Sequence, residues 1–303
     1  MKVQGVDCSI VIKTAYREFD VPYAEETIRE AVSLLEENAS IEGDGTCRAI
    51  RKSGGATGCI ITPMTIGTVP HLLYLAMGAA GKPLFVSETR NLYRYNLDLL
   101  PMEDTECFDL IQNRGIRTEN SELEPSVRGT MNNERRLYEG CRVKGFELRI
   151  MRDEAVKLRL DITSERPPVT YPYTDTFARE SGERFHGDFV SYQINGKEFT
   201  NIYGVTFLCK KEGGTKTELW IKRSFDTDFE LPSIIEEITI TAQLLRDKYE
   251  CRRFGIFRIT LKRLVALSDE TSVNTADTVI GPLRYYVAGL VKTEVFESFE
   301  GGL

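Results

Sequence analysis

Residues 155–162, AVKLRLDI, alternate without a fault: Val156, Leu158, Leu160 and Ile162 fall on one side, and Lys157, Arg159 and Asp161 on the other. Only an extended strand puts residues two apart on one face, and a strand with one dry and one wet face belongs to an antiparallel sheet. The preceding CRVKGFELRI alternates in the same way through Phe146, Leu148 and Ile150, so Arg152, Asp153 and Glu154 are expected to form a hairpin turn. Further on, YQINGKEF centres on Asn195-Gly196, two residues that tolerate positive φ and close a tight hairpin. GVTFLCKKEGGTKTELWIKRS reads as two strands meeting at Gly213-Gly214, and EITITAQLL as another, with Ile238, Ile240, Ala242 and Leu244 on one face. RRFGIFRITLKRLVAL and LRYYVAGLVKTEVF read as two more. The fold class expected is mainly β, an antiparallel sandwich or barrel with one or two flanking α-helices.

The firmer of those helices is residues 68–77, within TVPHLLYLAMG. Thr68 is placed to cap it, Pro70 sits in the first turn where a missing N–H costs nothing, and Gly78 offers an exit. Val69, Leu72, Leu73 and Ala76 make its apolar stripe, with His71 at the edge. Residues 23–37, YAEETIREAVSLLEE, leave helix and strand open; composition favours a helix with Ile28, Ala31, Leu34 and Leu35 on one face. The following stretch to residue 58 holds glycines 43, 45, 54, 55 and 58 and reads as a long mobile excursion. Residues 165–187, with Pro167, Pro168 and Pro172, read as a polar linker. The chain thus divides into a first β-rich half (1–164, with the 40–58 loop) and a second (188–303), as one composite domain or a distant duplication.

With 39 basic and 46 acidic residues the net charge is −7, against a protein that grips nucleic acid over a broad basic face. The longest apolar stretches, Gly58–Ile61 and Leu72–Ala80, fall well short of the ~20 residues of a spanning helix. The opening residues carry no signal-peptide pattern, which implies folding in a cytoplasm. Seven scattered cysteines without a C-x-x-C read as reduced, mostly buried thiols.

The search for chemistry returns little. Gly43-Asp44-Gly45 begins a dinucleotide pattern that Arg48 interrupts, and no P-loop, G-x-S-x-G elbow or H-E-x-x-H helix occurs. His71 and His186 are the only histidines, and both suit structural positions. Glu25-Glu26, Glu36-Glu37 and Glu236-Glu237 are adjacent, so in strands their carboxylates point to opposite faces. Trp220 lies in an alternating strand and suits core or interface packing. No catalytic residue, cofactor or metal site is expected. Charge is segregated instead: Asp98–Glu124 and 226–237 are acidic, while Arg142–Arg159 and Arg246–Arg263 are basic. That pattern suits solvated strands or self-complementary pairing between copies of the chain.

The order of elements resembles the tail tube proteins of long-tailed bacteriophages and phage-like particles, from about Glu25 to Leu264. Tyr138, Gly140, Cys141 and Val143 fit the family's Y-x-G-C-x-V strand opening, and Ile194, Asn195, Gly196 and Phe199 its I-N-G-x-x-F/L hairpin. The family pattern would place a strand at residues 24–37, where composition favours a helix. The resemblance implies a tail-tube sandwich or barrel that assembles with itself into stacked rings, six-fold, or three-fold if the core is duplicated. A loop at 40–58 would reach the next ring through Glu42, Asp44, Arg48, Arg51 and Lys52. An acidic lumen, with Glu103, Asp104, Glu106, Asp109, Asp226, Asp228 and Glu230 as candidates, would let DNA slide through without sticking. Partners would be other tail proteins: a tape measure, a terminator, and a baseplate or sheath. The resemblance implies no membrane partner, and synthesis in a host bacterial cytoplasm with a final place in a virion tail. A tail completion, adaptor or baseplate ring protein of the same fold, and a ligand- or carbohydrate-binding β-sandwich built around Trp220 or Tyr285-Tyr286, are the alternatives.

Overall fold

The computed structural model describes residues 8–15, 17–37, 48–78, 84–87, 92–116, 132–170, 183–224, 231–244, 255–268 and 279–298. The strands in the first part of the chain are β1 (Cys8–Lys13), β2 (Glu18–Asp20), β3 (Glu25–Glu26), β4 (Arg29–Glu37) and β5 (Arg48–Pro63), followed by the helix α1 (Val69–Met77). Next come β6 (Leu84–Ser87), β7 (Leu92–Asp98), β8 (Phe108–Ile116), β9 (Asn132–Met151), β10 (Lys157–Ser164) and β11 (Val169–Thr170). The remainder is β12 (Val190–Ile194), β13 (Lys197–Phe199), β14 (Ile202–Lys210), β15 (Lys216–Ser224), β16 (Ile234–Gln243), β17 (Gly255–Ser268), β18 (Val279–Val287) and β19 (Val291–Ser298). The fold is mainly antiparallel β, as the alternation predicts, with a single α-helix among the described residues. No helix there is long and apolar enough to cross a membrane.

Two compact units share the chain. Unit 1 takes residues 1–60, 107–142 and 161–179; unit 2 takes 61–106, 143–160 and 180–303, so it draws on both sides of the 165–187 segment. In unit 1, β1 pairs antiparallel with β2 and with β8, and β8 with the start of β9. Ile10, Val11 and Ile12 are all buried, so β1 is covered on both faces rather than one. Buried Tyr138 donates its hydroxyl to Gln112 Oε1 at 3.0 Å, which gives both side chains a partner inside the apolar core.

Unit 1 also corrects two expectations. Residues 29–37 form a strand, not a helix, and residues 48–58 are part of its partner strand, not a loop. The two pair from Arg29↔Thr57 to Glu37↔Arg48. Helix propensity among Glu, Ala and Leu differs by only a few tenths of a kcal/mol per residue, so a long ladder, even one with a register shift between Glu30 and Val32, outweighs it. Glycine enters this strand because backbones crowd it: a Cβ on Gly58 would stand 2.5 Å from Ile28 Cα.

In unit 2 the hairpins fall where their turn residues put them. Asn195 (φ 51°) and Gly196 (φ 77°) close β12–β13, and Gly213-Gly214 joins β14 to β15. The sheet runs β9–β14–β15–β18–β17–β16–β12–β13. Strand β17 branches it. Its second half pairs with β18, while its first half pairs with β19, which leads on to β7 and β6. LRYYVAGLVKTEVF, expected as one strand, is therefore two, β18 and β19, lying in line along β17.

The break between them is a β-bulge. From Leu261↔Val291 to Leu264↔Val287 the register advances three residues on β17 and four on its partner. Gly289 is the extra residue, and Arg263 opposite takes φ 56°. Ala288 and Gly289 donate to the carbonyls of Arg263 and Lys262, and Lys262 donates back to Leu290, so the polar backbone stays satisfied.

Helix α1 flanks the sheet, as expected, and most of its side chains are buried. Beyond the expected stripe, Leu75 and Met77 are also at 1% exposure or less, and it packs on β7 within unit 2. Thr68 does not cap it: its hydroxyl meets that of Thr65 at 2.7 Å instead. At the other end the Met77 carbonyl accepts the Leu100 N–H at 2.8 Å and Lys211 Nζ at 3.4 Å. The 165–187 segment is also more than a connection. Val169–Thr170 pairs with β9, and buried Phe185 hydrogen-bonds to Met64 and Val156 and meets Phe257 edge-on at 5.1 Å.

Candidate assembly surfaces

The acidic residues singled out in the first half are divided between the two units. After β7 the chain passes Pro101 into a single 3-10 turn, Met102–Asp104, pinned by Thr105, whose hydroxyl donates to the Met102 carbonyl at 2.8 Å. This turn holds Glu103 and Asp104 out in solvent, with Glu106 half-buried two residues later. All three belong to unit 2.

Asp109 belongs to unit 1 and has a structural task there. It sits at the β8–β9 register shift, where its Oδ1 accepts the N–H of Gly140 at 3.0 Å. Its charge also helps burial push the nearby Cys141 thiol up to about 12, with Cys107 adding to the effect. The exposed pair Glu103–Asp104 therefore suits an anionic surface better than Asp109 does. Asp226, Asp228 and Glu230 lie outside the described residues.

Of the expected contact loop, Glu42 and Asp44 also lie outside the described residues. Arg48, Arg51 and Lys52 are in β5, opposite Glu37, Leu34 and Ser33 of β4. Their setting is a two-stranded arm rather than a free loop.

The aromatic candidates separate as well. Tyr285 is buried and donates its hydroxyl to the Pro232 carbonyl at 3.0 Å, whereas Tyr286, one residue on, is 41% exposed. Trp220 is half-buried, its Nε1 donating to Glu218 Oε2 at 2.9 Å. The guanidinium of Arg284, its cross-strand neighbour, lies 4.4 Å above the indole. That cation covers the ring face a sugar would stack on.

The groups with chemical potential are committed to structure. His71 meets Tyr95 edge-on at 6.4 Å, and His186 Nδ1 lies 3.0 Å from Asp188 Oδ2. Cys141 donates to the Tyr138 carbonyl at 3.4 Å. Burial holds the Cys209 thiol up at about 12 despite Lys211 close by, so both thiols are protonated and poor nucleophiles at neutral pH. Among the described residues, no group of three or more His, Cys, Asp and Glu could hold a metal ion.

Two features escaped the sequence reading. One is Lys211, which burial takes to 2% exposure with no carboxylate partner among the described residues. The other is a row of exposed apolar side chains on unit 2: Ile234, Val265, Leu267 and Tyr286. The first lies beside a Gly-Gly turn where lysine is ordinary; the second depends on strand register, which sequence leaves open. No protein family model matches this chain, and no curated protein matches its sequence.

Proposed function

We propose that the chain is a structural subunit of a phage-type tail tube, self-assembling into stacked rings around a channel through which DNA passes. The observation that carries this reading is the strand at Arg29–Glu37 and its pairing with Arg48–Thr57 of the next strand. Composition favours a helix there, whereas the tail-tube pattern calls for a strand leading into a long hairpin, and a hairpin is what these residues form. The mainly β architecture and the I-N-G hairpin at Ile194–Phe199 agree with the same pattern. The arm suits a contact to the next ring, and the exposed Glu103–Asp104 turn suits a wall that repels DNA phosphates and so keeps transit free. Hexameric rings are the expected assembly, trimeric ones the alternative, with tape-measure, terminator and baseplate or sheath proteins as neighbours in the virion tail.

Negative-stain microscopy of the concentrated full chain tests this: long hollow tubes support the reading, and a protein that stays monomeric refutes it. Single rings that never stack would favour the adaptor or baseplate alternative. The glycan-binding alternative is weakened by Arg284 over Trp220, since the stacking face is already taken.

A further inference from the structure

The exposed apolar residues of unit 2 are aligned by the sheet itself. Ile234 of β16 is registered opposite Val265 of β17, and Val265 opposite Tyr286 of β18. They are 56%, 44% and 41% exposed, and Leu267, two residues beyond Val265, is 50% exposed. Three neighbouring strands therefore present one unbroken apolar row, on a face whose other members include Glu218 and Arg284. A contiguous row of this kind marks an interaction surface, where scattered single residues would not.

The charges beside it identify the occupant. One step along the same strands stand Glu236 and Arg263, both exposed, and neither forms an ion pair with another described residue. Arg263 is turned outward by its φ of 56° at the bulge. A patch carrying apolar residues, with one acid and one base that have no ion-pair partner among the described residues, is complementary to itself. We propose that this face is a two-fold contact between two copies of the chain, with β16 of one copy lying over β17 of the other. That superposition seats Ile234 against Val265 and Glu236 against Arg263, each twice, and leaves Tyr286 and Leu267 to flank the contact. A foreign peptide or glycan would find the apolar row but not both charges matched.

The inference goes beyond the tube reading and stands apart from it. A polar stack of rings has no two-fold axis of this kind, so the contact belongs to subunits that are not in a tube.

Sedimentation equilibrium of the full chain and its variants tests it. The wild type should show a monomer–dimer equilibrium, and Val265→Asp should abolish the dimer. Glu236→Lys or Arg263→Glu alone should weaken it about tenfold or more, each bringing like charges together twice. An equimolar mixture of the two single variants, or the double variant, should restore it, because opposite charges again meet. The charge variants leave the apolar row untouched, so they decide the matter even if Val265→Asp fails to fold. Single charge variants that dimerise like the wild type, or failure of the mixture to recover, overturn the proposal. So does a wild type that is monomeric, or one that forms only rings or tubes unchanged by these substitutions; in that last case the tube reading stands and this contact falls. Dimers that respond to the charge swap in a protein that never forms tubes give the converse.

Discussion

Lys211 follows directly after β14 and is 2% exposed, with its Nζ donating only a long hydrogen bond, 3.4 Å, to the Met77 carbonyl. Burial pulls its pKa from 10.5 down to about 8, with Cys209 acting weakly in the opposite sense. At roughly 1.4 kcal/mol per pH unit, a fall of that size makes the buried ammonium cost about 3 kcal/mol at neutral pH. Lys211→Met keeps the stem and removes the charge. The Met77 carbonyl still accepts the Leu100 N–H at 2.8 Å, so no orphan is left. Loss of the long hydrogen bond and of attraction to the helix C-terminus returns about 1 kcal/mol. The variant is therefore expected to be more stable than the wild type by about 1–3 kcal/mol at neutral pH.

The sign of the pH dependence follows from the same comparison. The unfolded lysine binds its proton at higher pH than the folded one, so this group's contribution is undiminished above about 10.5. It is lost as the pH falls to about 8 and stays constant below that. The gap between variant and wild type should open over that window. Tyr192, whose hydroxyl burial pushes well above its ordinary range, lowers the stability of both proteins alike in strong base and cancels in the difference. Urea unfolding at several pH values, with the m-value checked for constancy, measures the gap. A variant less stable than the wild type near neutrality, or a gap that does not change between about pH 7 and 10, would refute the reasoning.

Gly289→Ala should destabilise unit 2 by about 2–4 kcal/mol in urea unfolding, since the new Cβ would meet the Lys262 carbonyl oxygen at 2.6 Å; near-neutral stability would mean the bulge relaxes freely. Replacing residues 37–48 with Asn-Gly closes the arm at the Glu36–Ala49 pair and should leave the melting curve nearly unchanged while stopping tube growth under the microscope. In native protein near pH 8, mass-spectrometric mapping should find exposed Cys107 alkylated promptly, and Cys141 and Cys209 only after denaturation. Glu103→Lys with Asp104→Lys should leave assembled tubes intact but slow DNA delivery, an effect that salt relieves; unaltered delivery would make that turn an outer surface.

What sequence could and could not reveal follows from the range of the interactions involved. The β10 strand, the Asn195-Gly196 turn and the Gly213-Gly214 turn are specified locally, by alternation and by residues that accept positive φ, and they were readable. The strand at Arg29–Glu37 was obscured because its partner, Arg48–Pro63, itself looked like a loop. The glycines that suggested mobility are there because Ile28 and Ser164 come too close for a side chain at Gly58 and Gly55. Asp109 was legible as an acid but not as the acceptor for Gly140, which depends on the β8–β9 register shift. Lys211 and the Ile234–Val265–Tyr286 row were invisible for a related reason: burial and alignment are set by neighbours distant in sequence.

The bulge at Arg263 and Gly289 connects the fold to its outer surface. Leu261 points into the core, and strict alternation on β17 would turn Leu264 outward and Val265 inward. Instead Lys262 and Arg263 are both exposed, Leu264 is buried at 0% exposure, and Val265 is the residue presented to solvent. The extra residue is carried by the partner strand at Gly289, whose lack of a side chain lets it lie against the Lys262 carbonyl. One backbone irregularity thus does two things. It divides the long strand β17 so that its halves join different strands, β19 on one side of the break and β18 on the other. It also shifts the partner of β17 by one residue, which sets Tyr286 opposite Val265, while β16 keeps one unbroken register with β17 and holds Ile234 on the other side. Continued without the extra residue, the β19 register would set Val265 opposite Val287 rather than Tyr286, so the third member of the row is a product of the bulge and not of apolar content alone.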